Sequence, residues 1–525
     1  MRKLRLNMSN LTNKNDIYLY EKPISKNAGY KMWMAFPGVA SFALSSLGYL
    51  WMYKTIDEEP EIDIEMLCAD TKTTKIMKED INLIGFSFTF DMDFLTIFSM
   101  LERFSIPLKA NERSENSPLI FAGGPVVSAN PMPYKDFFDF IIIGDGEDTN
   151  LEVVKICKNS KNMPKLEILK LLSEVAGVYV PLLNNRPVTK ITKKLNECVY
   201  TPIISENAFF KNTFILEMSR GCANRCGFCL ASYMNLPLRC VPYEEIISTI
   251  ELGLEHTNKI ALLGAQISAH PKFNEIFEYI DSKIKSGCKI EMSVSSLRVD
   301  AITPNIVKTL VKTGQKNVTL AIEAGSDRLR RVINKNLTEE QIFNAVKIAV
   351  ENGLKGLKFY GMIGLPTETQ SDIDALIELA GKIKKLYKGF DISFGFSSFV
   401  PKPNTPFQWL GREATKSLEG RAEYLKKEMH KIGVSVNVSS IKWDYWQAVL
   451  SRGDETFTEF LIDVYRSGGK LGDFKKLARK HNINADYYAL QNLDINTELP
   501  WDFISVKPGK EFLISEFSRL LQISD

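Results

Sequence analysis

The chain has 525 residues, 45% hydrophobic and 25% charged, which is more than one core can use and implies several domains that need no disulfide or metal staple. Its 66 basic and 63 acidic residues leave a net charge of +3, too small a surplus to indicate nucleic acid or an acidic membrane as partner. The longest apolar stretch, residues 32–52, is broken by Pro37, Gly38, Gly48 and three serines. It reads as strand, turn and helix rather than a bilayer span, and no signal-peptide cleavage pattern follows the basic start. The expectation is a cytoplasmic protein with no membrane partner.

In chain order, residues 1–29 form an N-terminal arm whose first part, Met1 to Lys14, is basic without acidic residues and reads as solvated. Residues 30–200 alternate apolar runs with helical patterns. Ile81–Phe88, Leu119–Gly123 and Phe138–Gly144 read as buried strands, the second closed by Gly123-Gly124-Pro125 and the third by Gly144-Asp145-Gly146. Such runs predict parallel strands covered on both faces, a doubly wound Rossmann-like α/β domain. Residues 187–211 are polar and read as a connector. Across 205–412 six strands are predicted at 213–218, 259–263, 289–294, 317–323, 356–362 and 391–399, with helices between them such as 243–254, 338–352 and 370–386. Six strand–helix units suggest a partial (β/α)6 TIM-like barrel, with an open doubly wound sheet as the rival. Residues 413–525 are mostly helical and rich in aromatics, an accessory domain.

Eight cysteines are present: Cys68, Cys157, Cys198, Cys222, Cys226, Cys229, Cys240 and Cys288. Scattered thiols in a chain without a leader favour a reducing compartment. Cys222, Cys226 and Cys229 cluster as C-x3-C-x2-C just after the first barrel strand, and a compact run of thiolates suits metal. Spacing alone leaves two readings. An iron–sulfur cluster would keep one iron free of protein ligand, whereas a zinc site would close a tetrahedron with a fourth ligand such as Cys240.

The run Ser219-Arg220-Gly221-Cys222-Ala223-Asn224-Arg225-Cys226-Gly227-Phe228-Cys229 resembles the signature of the radical S-adenosylmethionine (SAM) superfamily, including the aromatic Phe228 before the last cysteine. The resemblance implies a [4Fe–4S] cluster on Cys222, Cys226 and Cys229. Its open iron would chelate SAM, and one electron from a donor such as flavodoxin or ferredoxin would release a 5′-deoxyadenosyl radical. Further positions follow that family's pattern at predicted strand ends. Ser295 and Arg298 follow the third strand, with Arg298 suited to the methionine carboxylate. Glu323 ends the fourth and suits ribose or amino donors. Gly361 and Gly364 resemble the segment beside adenine. Gln266 stands where the family has an acid for the methionine amino group. Arg298 as a surface ion pair and both glycines as turn residues are the plainer alternatives.

The first domain resembles the cobalamin-binding domain that precedes many radical SAM cores. Ser87, Thr89, Gly123 and Gly124 match positions lying against the cobalamin tail, where a backbone without Cβ lets a ligand approach. The family's histidine ligand to cobalt is missing, because the four histidines, His256, His270, His430 and His481, all lie downstream. Cobalamin binding without imidazole and a domain that has lost the cofactor both remain open. Segments 448–454, 499–504 and 510–513 resemble the tails of bacterial and archaeal cobalamin-domain radical SAM proteins. There Arg452 and Asp454 read as a structural ion pair, and Trp443 and Trp501 as core. The implied activity is cobalamin-dependent methylation of an unactivated carbon. Alternatives are a radical SAM enzyme without cobalamin that modifies RNA or protein, or a metal-stabilised binding module supported by the basic arm and Arg328, Arg330 and Arg331. The substrate class (small molecule, peptide or RNA) is not legible.

Overall fold

A computed structural model describes residues 15–21 and 29–522; the basic stretch 1–14 lies outside the described residues. Strand β1 (Ile17–Tyr18) belongs to the connector described below. The first sheet contains β2 (Tyr30–Phe36), β3 (Ile62–Cys68), β4 (Leu83–Ser87), β5 (Leu119–Gly123), β6 (Phe140–Ile142) and β7 (Val178–Tyr179). Its order is β3-β2-β4-β5-β6-β7, parallel except for the β6–β7 pair. The order reverses between β2 and β4, which opens a crevice at the carboxyl ends of the strands, as doubly wound sheets do. The strands are near-continuous apolar runs because both faces are covered.

One face packs on helices Leu47–Asp57, Glu147–Asn159 and Lys165–Ser173 through Leu50, Ile56, Val153 and Leu172. The other face holds Trp33, Phe86 and Ile120. It shares a single core with helix Phe94–Arg103 and with Val449, Phe460, Phe474 and Trp501 from the far end of the chain. The C-terminal helices are therefore the second cover of the N-terminal sheet. Each fully buried side chain of that size contributes about 1.5–3 kcal/mol, so these two parts stand or fall together.

The connector carries β8 (Val188–Thr189) and β9 (Ile203–Ile204); β9 pairs with β1. Then come β10 (Thr213–Arg220), β11 (Arg239–Cys240), β12 (Lys259–Gly264), β13 (Glu291–Val294), β14 (Asn317–Glu323), β15 (Gly356–Ile363), β16 (Asp391–Ser398) and β17 (Ser435–Val438). They form two four-stranded sheets, β11-β10-β12-β13 and β14-β15-β16-β17, joined by a parallel bridge from Leu297 to Leu320. All six predicted strands are present, and all pairings are parallel except β10–β11. The architecture is the expected partial barrel rather than an open doubly wound sheet.

Barrel packing continues past residue 412, where the sequence suggested an end. Helix Thr415–Lys431 presents Leu418, Ala422, Leu425 and Met429 at helical spacing to the barrel core, and β17 extends its second sheet. Beyond Ile441 the chain is mostly helical. Its last strand, β18 (Ile504–Ser505), pairs in parallel with β8. Arg452 and Asp454 do not pair. Arg452 donates to the carbonyls of Leu410 and Gln491, while Asp454 caps the turn at Thr456 and accepts from the Tyr488 hydroxyl. Trp443 packs edge-on against Phe474, and Trp501 is buried with its indole N–H on Gln408. No helix among the described residues is long and apolar enough to cross a membrane.

Candidate functional site

Two bulges open the barrel's carboxyl end. In β10 the register skips between Glu217 and Ser219, three residues before Cys222. In β14 it skips between Ala321 and Glu323, which leaves Glu323 at φ +63°. A bulge re-aims the next side chain, and a left-handed backbone in a residue other than glycine is sustained only by its surroundings.

The cysteine loop sits between these bulges. Cys222 and Cys226 are buried and Cys229 is half-buried. The Cys222 Sγ lies 3.1 Å from Gln266 Oε1, which also accepts from the Asn224 amide at 2.6 Å. Burial pushes the Cys226 thiol up to about 12, opposed by the Lys335 ammonium and reinforced by the neighbouring Cys229 and Cys222. Burial likewise raises Cys229, opposed by the Ser232 hydroxyl. That hydroxyl is buried and makes no full hydrogen bond in the chain itself. An unpaired O–H beside a sulfur suits a ligand thiolate, which is a strong acceptor.

Among the described residues no three His, Cys, Asp or Glu side chains converge as they would around a single ion. Thiolates on separate iron corners stand wider apart than ligands of one zinc. Three thiols on one short loop, with a buried hydroxyl beside one of them, fit a three-thiolate iron–sulfur cluster.

The loop is gripped from behind by a turn that sequence reasoning missed. Asn334, at φ +58°, donates its amide to the carbonyls of Asn224 and Arg225, both at 2.9 Å. The Gly227 N–H donates to Ile333 O at 3.1 Å. Next to it Lys335, 7% exposed, reaches Glu323 Oε1 at 3.0 Å. The only sequence sign was Asn334-Lys335-Asn336, whose asparagines tolerate the left-handed region.

The other barrel residues fall as follows. Ser295 donates to Gly264 O at 3.3 Å and ties two strand ends together. Arg298 is 12% exposed and is paired through Nε and Nη2 with Asp300, both at 2.9 Å, within electrostatic reach of Cys226 and Cys222. Phe228 packs against the cluster of Met362, Phe399 and Phe407. A Cβ on Gly361 would meet the Phe396 ring at 2.4 Å, and one on Gly364, at φ +71°, would meet Leu418 at 2.5 Å, so internal packing itself demands glycine at both. Of the three arginines invoked for a binding module, Arg331 is exposed and the other two are structural. Arg330 is fully buried on the carbonyls of Leu337, Ala324 and Gly325, and Arg328 pairs with Asp372.

A cavity of about 340 Å³ lies at the carboxyl ends of the first sheet, lined by Ser87, Thr89, Gly123 and Gly124 among others. Its far wall belongs to the barrel: Glu217 and Arg220 of β10 and Leu263 of β12. Arg220, two residues before Cys222, joins the two parts by bridging Asp145 at 3.2 Å, Glu147 at 2.6 Å and Glu217 at 2.7 Å. Two kinds of glycine line the cavity. Gly124, at φ +121°, is forced, since a Cβ would meet Phe88 O at 2.5 Å. Gly123, Gly48 and Gly146 are not, because a Cβ there would meet nothing closer than 3.7 Å. Gly48 also lies in a helix, where glycine costs about 0.5–1 kcal/mol relative to alanine. Glycines that internal packing does not require, lining one cavity from three elements, fit a ligand that approaches the backbone closely. No histidine lines the cavity.

The family described as "Radical SAM superfamily" matches residues 216–380, and that described as "Radical SAM proteins, N-terminal" matches residues 52–181. An uncharacterized protein of Methanocaldococcus jannaschii is 32% identical over 380 residues, covering 71% of this chain and 80% of its own. An uncharacterized methyltransferase of Pyrococcus horikoshii is 26% identical over 383 residues, covering 68% and 76%. The fold is shared with the radical SAM methyltransferase TsrM of Kitasatospora setae, solved with cobalamin and a [4Fe–4S] cluster bound. Its TM-score is 0.54 at 11% identity, covering 86% of this chain and 99% of that one.

Proposed function

Since the chain belongs to the radical SAM superfamily and is thereby a radical SAM enzyme, we propose that it methylates an unactivated carbon with cobalamin held in the N-terminal cavity. The observation that carries this reading is the cavity's position. It opens at the switch point of the first sheet, is lined by glycines that packing does not require, and is closed by the strand that runs into the cysteine loop. The names of the Pyrococcus relative and of the Kitasatospora enzyme support the same reaction class.

Cys222, Cys226 and Cys229 hold the cluster. Cluster and SAM together supply a hydrogen-abstracting radical, and cobalamin supplies a methyl carrier. The chain's own residues position and screen. Asp300 occupies Nε and Nη2 of Arg298, which leaves Nη1 for the methionine carboxylate. Lys335 holds one oxygen of Glu323 and orients the other toward a ribose or amino donor. Gln266, an amide where an acid is usual, offers its carbonyl oxygen to the Cys222 side of the site. No histidine is among the cavity's lining residues, so these residues would hold cobalamin without offering it an imidazole.

Anaerobic reconstitution with iron, sulfide and cobalamin tests this. The expected result is cobalamin that survives desalting, seen in the ultraviolet–visible spectrum, with 5′-deoxyadenosine formed from SAM. Loss of all cobalamin on desalting would remove methyl transfer and leave the radical core standing. A methylthiotransferase reading is less well supported, because that chemistry uses a second cluster and the remaining cysteines are scattered.

A further inference from the structure

A second cavity, of about 190 Å³, adjoins the first and shares Thr89 and Pro125 with it. Leu230, the residue after Cys229, is also on its wall. It therefore touches both the proposed cobalamin cavity and the cysteine loop. Its other walls come from the barrel loop at Lys402 and the C-terminal helix at Gln447 and Ser451. Five separate stretches of the chain converge on it, at 89–91, 125–130, 230, 402–403 and 447–451.

Its polar end is a closed network. Asp91, 5% exposed, accepts from Lys402 Nζ at 2.9 Å and Gln447 Nε2 at 3.0 Å on one oxygen, and from Ser451 Oγ at 3.0 Å on the other. Lys402 also donates to Ser451 Oγ at 2.7 Å. These bonds use two of the three ammonium hydrogens and three of about four carboxylate lone-pair sites. Gln447 keeps its second amide hydrogen and its carbonyl oxygen outside these bonds, so a donor and an acceptor remain at a cavity end whose ion pair carries no net charge. The opposite walls are apolar, with Val126 and Leu450.

We propose that this cavity receives the methyl acceptor. The acceptor is a small molecule of no net charge, with an apolar body and one end that both donates and accepts hydrogen bonds, as a carboxamide or a zwitterion does. The proposal rests on the methyltransferase reading above. Size and charge favour this class over RNA. The volume is below the roughly 300–1,000 Å³ of sites for drug-sized ligands, and a polyphosphate strand is met by unpaired basic residues, whereas Lys402 is neutralised by Asp91.

The full-length enzyme, reconstituted with cluster and cobalamin, is incubated with methyl-labelled SAM and, separately, with the dialysable small molecules, the total RNA and the protein fraction of a cell extract. Label is expected in the dialysable fraction. Ala129→Trp fills the cavity and is expected to lower that labelling at least tenfold while iron and cobalamin content stay at the wild-type level. Gln447→Leu, close in size and so the safer variant for folding, is expected to raise KM for the labelled species about tenfold, as for one lost hydrogen bond, with little change in kcat. Label in RNA or protein, no label in any fraction, or labelling and KM untouched by both variants would overturn the proposal. A wild-type enzyme that keeps no cobalamin would instead remove the reading beneath it.

Discussion

The turn at Asn334 allows a worked test of how the cysteine loop is held. Asn334→Ala removes two hydrogen bonds, to Asn224 O and Arg225 O, each at 2.9 Å. Partly exposed bonds of this kind contribute about 0.5–1.5 kcal/mol each. Alanine at φ +58° adds about 1 kcal/mol of backbone strain. The low end of that sum, about 2 kcal/mol, spent on preorganising the loop, corresponds to about 30-fold in cluster retention. The assay is anaerobic reconstitution, followed by the rate of iron release to a chelator read by absorbance. Iron is expected to leave the variant about 30-fold faster than the wild type. Asn334→Asp separates the two causes, because it tolerates the left-handed backbone but sets a carboxylate against both carbonyls. It should lose iron as fast as the alanine variant. Release from both variants within twofold of wild type would refute the idea that this turn holds the loop.

Other outcomes follow from the same geometry. Cys226→Ala is expected to abolish 5′-deoxyadenosine formation while circular dichroism shows an intact fold; turnover at the wild-type rate would contradict the cluster assignment. In the first cavity the two glycines should behave oppositely. Gly124→Ala meets Phe88 O at 2.5 Å with φ +121° and should destabilise the chain by about 3 kcal/mol in denaturant titration. A Cβ on Gly123 makes only ordinary contact, with Ile142 at 3.8 Å, so Gly123→Ala should change stability by less than about 1 kcal/mol and should lower the cobalamin retained on desalting. Burial raises Glu368 from 4.5 to about 7, against the pull of the Gly364 amide and Arg421. Between those pH values the folded chain keeps a proton that the unfolded chain has lost. Stability should therefore fall as pH rises from about 4.5 to about 7, at up to roughly 1.4 kcal/mol per unit. Glu368→Gln should flatten that part of the melting profile.

The sequence by itself determined whatever is local. A thiolate run after an apolar strand, and strands followed by helices at fixed rhythm, are periodic or contiguous, so the C-x3-C-x2-C loop and all six barrel strands were legible. So was the absence of a histidine from the first domain. Tertiary structure decided what depends on residues far apart in the chain. Lys335 and Asn334 lie more than 100 residues after the cysteines they serve, and only the fold brings them to Cys226 and Arg225. The same holds for the C-terminal helices, whose aromatics looked like an accessory domain until Phe460 and Phe474 were found in one core with Trp33 and Phe86. Gly361 and Gly364 show the reverse. Their pattern suggested a ligand, and only the fold shows that Phe396 and Leu418 also close on these two positions. Apolar burial carries no record of which partner it will meet, and a hydrogen bond between distant segments leaves no period in the chain. Those two facts set where reading residues ends and three-dimensional packing begins.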